Sequence, residues 1–209
     1  MTILAYTGVP GSGKSAHAAR DIRYALDHPR LTKPVIANFR LSPTAPVKHP
    51  ELFTYIPNEQ MTAGKIVDVC DRFWDSSGLP FREDYITLVL DECAILFNAR
   101  LWGQKSRMSY LELMSQSRKV GLKVILISQS LMMIDNQFRM MVEVEHNHRR
   151  ISAMGGVGWL ASRLFGGNVF LDVRYLSQGH ERLGADLFVP SKSDFAMYDS
   201  YARFAQAKE

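Results

Sequence analysis

The chain has 209 residues, 46% of them hydrophobic and 22% charged, with a formal net charge of +4. That balance excludes a disordered chain and leaves room for one domain with a substantial core. Two cysteines, Cys70 and Cys93, exclude a disulfide scaffold and a cysteine-type metal site and point to a reducing compartment. The mild positive excess tolerates nucleic acid or an anionic membrane without requiring either.

Residues 1–7 are a short apolar run of strand length, so we expect the first strand at once and no secretory leader. The next stretch, Gly8-Val9-Pro10-Gly11-Ser12-Gly13-Lys14-Ser15, matches G-x-x-x-x-G-K-[ST] at every fixed position. Its glycines accept positive φ, which lets successive N–H groups turn inward around an anionic phosphate. A helix is expected from Lys14 to about His28, stopped by Pro29, and its N-terminus adds partial positive charge. Residues Gly8 to Ala16 are therefore the predicted nucleotide contacts. Lys14 reaches the β- and γ-phosphates of ATP, and the Ser15 hydroxyl holds Mg2+.

Residues 34–39 and 52–56 read as strands on either side of a proline-bearing connection. Thr62 is the expected cap of a helix whose apolar positions Ile66, Val69, Cys70 and Phe73 fall at helical spacing, broken by residues 75–80. The run Tyr85-Ile86-Thr87-Leu88-Val89-Leu90 ends in Asp91-Glu92, the pattern of a buried parallel strand with its tip at the ligand crevice. It reads as a Walker B strand. Asp91 is predicted to hold Mg2+ through water, and Glu92 orients or deprotonates the attacking water. The alternative is a strand ending in a solvated acidic turn.

A helix is expected over residues 108–120, with Leu111, Met114 and Ser115 on one face and Gly121 closing it. Another buried strand then leads to Gln129, placed either to touch the γ-phosphate or water or merely to cap the next segment. Arg118 and Arg139 are candidates to stabilise transition-state charge, in cis or from a neighbouring subunit, against the plainer reading of surface ion pairs. Residues 142–149 alternate as a half-exposed strand, with residues 168–176 as its partner candidate. His146 and His148 share a face there and could ligate a metal, but no third ligand stands at an obvious spacing, so a solvated strand face is expected. Residues 154–167 form an apolar, glycine-flanked excursion, read either as a membrane or partner contact or as core. Residues 194–209 carry an aromatic comb (Phe195, Tyr198, Tyr201, Phe204) that is expected to pack back.

Taken together, the N-terminal phosphate loop, Leu88-Val89-Leu90-Asp91-Glu92, Ser117-Arg118-Lys119-Val120-Gly121 leading to Gln129, Phe138-Arg139 and the terminal Tyr198-Asp199-Ser200-Tyr201 carry a likeness over nearly the whole chain. It resembles the NTPase domain of the zonular occludens toxin (Zot)-like family, which includes filamentous phage assembly and export ATPases. The S-R-x-x-G and terminal Gln pattern is also similar to the broader FtsK/HerA-like motors, which implies Gln129 as sensor and Arg118 as a finger. Members of the family continue into a membrane-spanning helix, and none follows Tyr201 here. The membrane role is then expected of a portion outside an excised domain, of residues 155–167 or of a separate protein. The toxin activity belongs to a C-terminal portion that this sequence does not contain.

These readings predict a single α/β domain over residues 1–209: a three-layer P-loop NTPase with a mainly parallel central sheet, an extra strand between the Walker strands and a C-terminal β-rich extension. The expected activity is Mg2+-dependent ATP hydrolysis driving phage assembly or DNA extrusion. By resemblance it is expected from a homo-oligomer at the cytoplasmic face of the inner membrane, with phage or inner-membrane assembly proteins and single-stranded DNA as partners. A small-molecule kinase and a nucleotide-gated binding module are the rivals. Against the kinase stands Glu92, since a water-activating acid suits hydrolysis.

Overall fold

Successive side chains of a strand point to opposite faces, so a strand buried on both faces must be apolar throughout. Three segments come near that condition, interrupted only by threonines and Lys123: β1 (Thr2–Thr7), β4 (Ile86–Leu90) and β5 (Leu122–Ile127). They lie together at the centre of one eight-stranded sheet in a computed structural model, which describes residues 2–28, 31–97, 104–156, 160, 163 and 168–197. With β2 (Val35–Ala37), β3 (Phe53–Tyr55), β6 (Val144–Arg150), β7 (Phe170–Leu176) and β8 (Arg182–Phe188), the spatial order is β3-β2-β4-β5-β1-β6-β7-β8. Strands β3 through β6 run parallel; β7 and β8 add antiparallel. The expected mainly parallel sheet with a β-rich C-terminal extension is what the chain adopts.

Helices cover both faces. On one, Tyr6, Val89, Ile125 and Ile127 meet Ala18, Ile22 and Leu26 of α1 (Lys14–Asp27). On the other, Ile3, Ala5, Leu88, Leu90, Val124 and Leu126 pack under α2 (Ala63–Ser77), the short α3 (Cys93–Leu96), α4 (Gln104–Gln116) and α5 (Asn136–Arg139). Thr62 caps α2 by accepting from the Lys65 N–H at 3.3 Å, and Gly78 ends it at φ 63°, so the helix includes the first part of the predicted break. A short α6 (Lys192–Phe195) carries a reciprocal Ser191–Asp194 capping box and returns to α1 through Arg20 and Arg23.

Two expectations change. The helix starts at Gln104 and buries Tyr110, Leu113 and Met114, and a 3-10 turn over Ser117–Val120 that leads to Gly121 buries Ser117, while Ser115 is exposed. The predicted set has helical i, i+3, i+4 spacing too, but the stripe that faces the core is turned by one position, to 110, 113, 114 and 117. Strand β8 was unanticipated: Leu183 and Leu187 lie outward on an edge strand, and no buried stripe announces it. Most of the excursion at 154–167 and the tail from Tyr198, including Tyr201 and Phe204, lie outside the described residues. Among the described residues, no helix is long and apolar enough to cross a membrane.

Candidate functional site

The parallel strands all end on one side, and β1 passes directly into the glycine loop there. Gly8 sits at φ 136° and Gly13, the residue before α1, at φ 101°. A Cβ on Gly8 would stand 2.4 Å from the His148 carbonyl oxygen, and one on Gly13 would stand 2.6 Å from the Phe170 ring. Both glycines therefore serve close packing against β6 and β7 as well as the backbone turn that an anion nest needs. The Gly8 N–H donates to the Gln129 carbonyl at 3.2 Å, tying the loop to the tip of β5.

Lys14 opens α1 and folds back, its Nζ donating to the carbonyls of Gly8 at 2.7 Å and Val9 at 3.1 Å. Burial pulls its pKa down, partly offset by the negative charges of Glu92 and Asp91. Those two acids stand at the tip of β4, which is separated from β1 by β5 alone, so the predicted extra strand between the Walker strands is present. One cavity of about 470 Å3 is lined by Pro10 to Ala16, Asp91, Glu92 and Gln129.

Burial pushes the Asp91 carboxyl up to about 6; the Glu92 N–H donating to Oδ1 at 2.9 Å opposes this, the Glu92 charge adds to it and Lys14 opposes it. A carboxyl poised in this way gains from a cation beside it. Glu92 itself holds a left-handed backbone at φ 47°, a conformation that costs a non-glycine residue about 1–2 kcal/mol and that clusters at functional sites. The buried Ser12 hydroxyl has no hydrogen-bond partner among the described residues. Glycine nest, ammonium, hydroxyls and a carboxyl held in one cavity fit a polyphosphate with a divalent cation.

Two of the predicted arginines do not converge on this cavity. Arg118 precedes β5 and so lies at the opposite end of the sheet, where its exposed guanidinium is 3.6 Å from Glu83. Arg139 ends α5, on the sheet face away from α1, bonds Asn136 at 2.6 Å and lines a different cavity with Glu145, Asn147 and Arg149. The reading of either as a cis finger is corrected accordingly. Among the described residues, the arginine that lines the phosphate-loop cavity is Arg150, at the end of β6. It was overlooked because it follows the segment read as a strand; β6, parallel to β1, delivers its last residue to the same side.

Asn38 was also missed. It lies just past β2, and its side chain donates to the Asp91 carbonyl and accepts from the Asp91 N–H, both at 2.8 Å. The available signal was a polar residue closing an apolar run, the same signal that singled out Asp91 and Gln129. The expectation of a solvated strand face at His146 and His148 is overturned. His148 is 1% exposed, and its missing neighbours come from distant sequence: His17 on α1 and Asp172 on β7.

A family model described as zonular occludens toxin (Zot) matches residues 2–204. The Gene 1 protein of Salmonella phage IKe is 33% identical over 132 residues, covering 58% of this chain and 36% of that protein. The match thus spans about a third of that relative's length. In fold, the chain is similar to the N-terminal domain of zonular occludens toxin from Neisseria meningitidis, with TM-score 0.58 and 14% identity over 95% of this chain and 98% of that one. It is also similar to the genome-packaging NTPase of Sulfolobus turreted icosahedral virus 2 solved with ATP-gammaS, with TM-score 0.54 and 12% identity over 91% and 98%.

Proposed function

The chain belongs to the Zot family, and from that premise we propose that residues 1–209 act as one P-loop NTPase domain that hydrolyses ATP to drive filamentous-phage assembly and DNA extrusion. The observation that carries this reading is the single cavity shared by the phosphate loop, Asp91, Glu92 and Gln129. The packaging NTPase solved with ATP-gammaS adds support through its likeness in fold.

In this reading Lys14 exchanges the Gly8 and Val9 carbonyls for phosphate oxygens. The Ser15 hydroxyl and, through water, the Asp91 carboxylate would hold Mg2+, which would supply charge neutralisation at the phosphates. Glu92 takes the proton of the attacking water, and Gln129 holds that water in line. Arg150 meets the phosphate charge from the β6 side. Arg118, at the far end of the sheet, serves a neighbouring subunit of a homo-oligomer. The setting is the cytoplasmic face of the inner membrane, with phage assembly proteins and single-stranded DNA as partners.

The test is ATP turnover without any acceptor, with and without single-stranded DNA, read beside the native mass in ATP. Lys14→Ala abolishes nucleotide binding or turnover; Glu92→Gln keeps ATP binding and loses hydrolysis. Turnover retained in Glu92→Gln removes Glu92 from its role. Phosphoryl transfer to a small molecule in place of hydrolysis makes the chain a kinase, and tight binding with negligible turnover makes it a nucleotide-gated module.

A further inference from the structure

Behind the phosphate loop, on the α1 face of the sheet, three side chains from three elements point at one another. His17 Nδ1 lies 2.7 Å from His148 Nε2, and a ligand atom of Asp172 lies within 4.8 Å of both. We propose that His17, His148 and Asp172 form a binding site for a divalent transition-metal ion of the zinc class, which pins the first turns of α1 to the β6–β7 pair.

Four features carry this. The first is an unmet need: Asp172 Oδ1 is buried and has no hydrogen-bond partner among the described residues, while Oδ2 accepts from His146 Nδ1 at 2.7 Å. A carboxylate oxygen held out of water without a donor is costly, and a cation beside it removes that cost. The second is the outer support: His148 Nδ1 faces the Thr7 carbonyl at 3.3 Å, an arrangement that puts its proton there and leaves the Nε2 lone pair turned toward His17. The His146–Asp172 pair is the same kind of support on the carboxylate side.

The third is spacing. A tetrahedral ion with bonds of about 2.0–2.1 Å needs donor atoms about 3.3 Å apart. The imidazole nitrogens therefore separate by about half an ångström, and the carboxylate closes in, by small side-chain rotations. The fourth is enclosure. The Tyr6 ring stacks on His17 at 4.8 Å and the Phe188 ring lies 4.9 Å from it, so the polar cluster has aromatic walls. Two imidazoles and a carboxylate suit zinc-class ions, whereas Mg2+ takes oxygen ligands, so this site and the phosphate-loop site do not compete for the same ion.

The experiment is titration of the chelator-treated 209-residue chain with Zn2+, and with Co2+ as a spectroscopic probe, in excess Mg2+. We expect one equivalent bound, the visible absorption of tetrahedral Co2+, and a melting midpoint raised by about 5–10 °C at Zn2+ well above Kd. Asp172→Asn and His17→Gln, each checked for native circular dichroism, weaken Zn2+ at least about 100-fold; His49→Gln, an exposed histidine elsewhere, leaves it unchanged. Should a variant fail to fold, the imidazole nitrogen NMR shifts of His17 and His148 in the unaltered chain are followed with and without Zn2+, and a metal-induced shift at one nitrogen of each ring is expected. Absence of Zn2+ binding at micromolar concentration, folded variants that bind as well as the parent, or unchanged His17 and His148 nitrogen shifts each overturns the proposal in favour of a purely hydrogen-bonded cluster.

Discussion

Asn38 brackets the peptide of Asp91, giving its side-chain N–H to the carbonyl and its side-chain oxygen to the N–H, each at 2.8 Å. The strand carrying Asp91 is thereby fixed from the neighbouring strand, at the point where its regular ladder has ended. Asn38→Ala leaves both backbone groups without their partner. The expected cost is about 1–3 kcal/mol in stability, with a fall in ATP turnover that exceeds any change in KM. Urea unfolding and steady-state kinetics check the two parts, and unchanged turnover at wild-type stability removes Asn38 from its positioning role.

Glu92 holds a left-handed backbone that asparagine adopts more readily. Glu92→Asn is expected to raise stability by about 0.5–1 kcal/mol while abolishing hydrolysis. A melting curve beside an ATPase assay reads both. A variant less stable than the parent shows that Glu92 makes a contact that outweighs its backbone strain.

Gly13 lies where an added methyl would meet the Phe170 ring at 2.6 Å. Gly13→Ala is expected to destabilise by about 2–3 kcal/mol, combining positive-φ strain with overpacking. Pairing it with Phe170→Leu returns part of the loss, so a double-mutant cycle on unfolding free energies gives a coupling of at least about 0.5 kcal/mol. Strict additivity means that the ring moves aside.

Arg150 shares the phosphate-loop cavity and Arg139 does not. Arg150→Ala is expected to lower kcat/KM for ATP at least tenfold, about 1.4 kcal/mol, whereas Arg139→Ala stays within twofold. The reverse ranking overturns the assignment.

Asp194 is fully buried beneath α1. Burial raises its pKa, but the Ser191 N–H, 2.8 Å from Oδ2, and Arg23, 3.0 Å from Oδ1, outweigh burial and hold it below the ordinary carboxylate value. A depressed carboxyl contributes stability above its unfolded pKa of about 3.9 and loses it as pH falls through the folded value. The difference between parent and Asp194→Ala, about 1–2 kcal/mol, is therefore flat from pH 5 to 8, and shrinks below about pH 4. Urea midpoints across that range check the sign.

The sequence shows its centre more clearly than its margins. A loop motif between strand and helix, and an apolar run ending in two acids, are local patterns, and both stand where they were read. Arg118 was drawn toward the site by its nearness in sequence to the strand that ends in Gln129; six residues of strand rise about 20 Å, and that length puts it at the other end. Arg150 and the partners of His148 were not legible because each depends on which elements become neighbours, and Asn38, though it closes an apolar run, gains its role only once β2 lies beside β4. Strand β8 escaped for a different reason: an edge strand with leucines facing outward has little burial to impose a pattern.

The packing of the C-terminal strands on the phosphate loop has a mechanical consequence. With the His148 carbonyl against Gly8 and the Phe170 ring against Gly13, there is no slack between ribbon and loop. A push of even a few tenths of an ångström on β6 or β7 must travel into the backbone amides that face the ligand, and a change there must travel back out. The three-stranded edge is thus a stiff lever whose short arm ends at the phosphate-loop cavity.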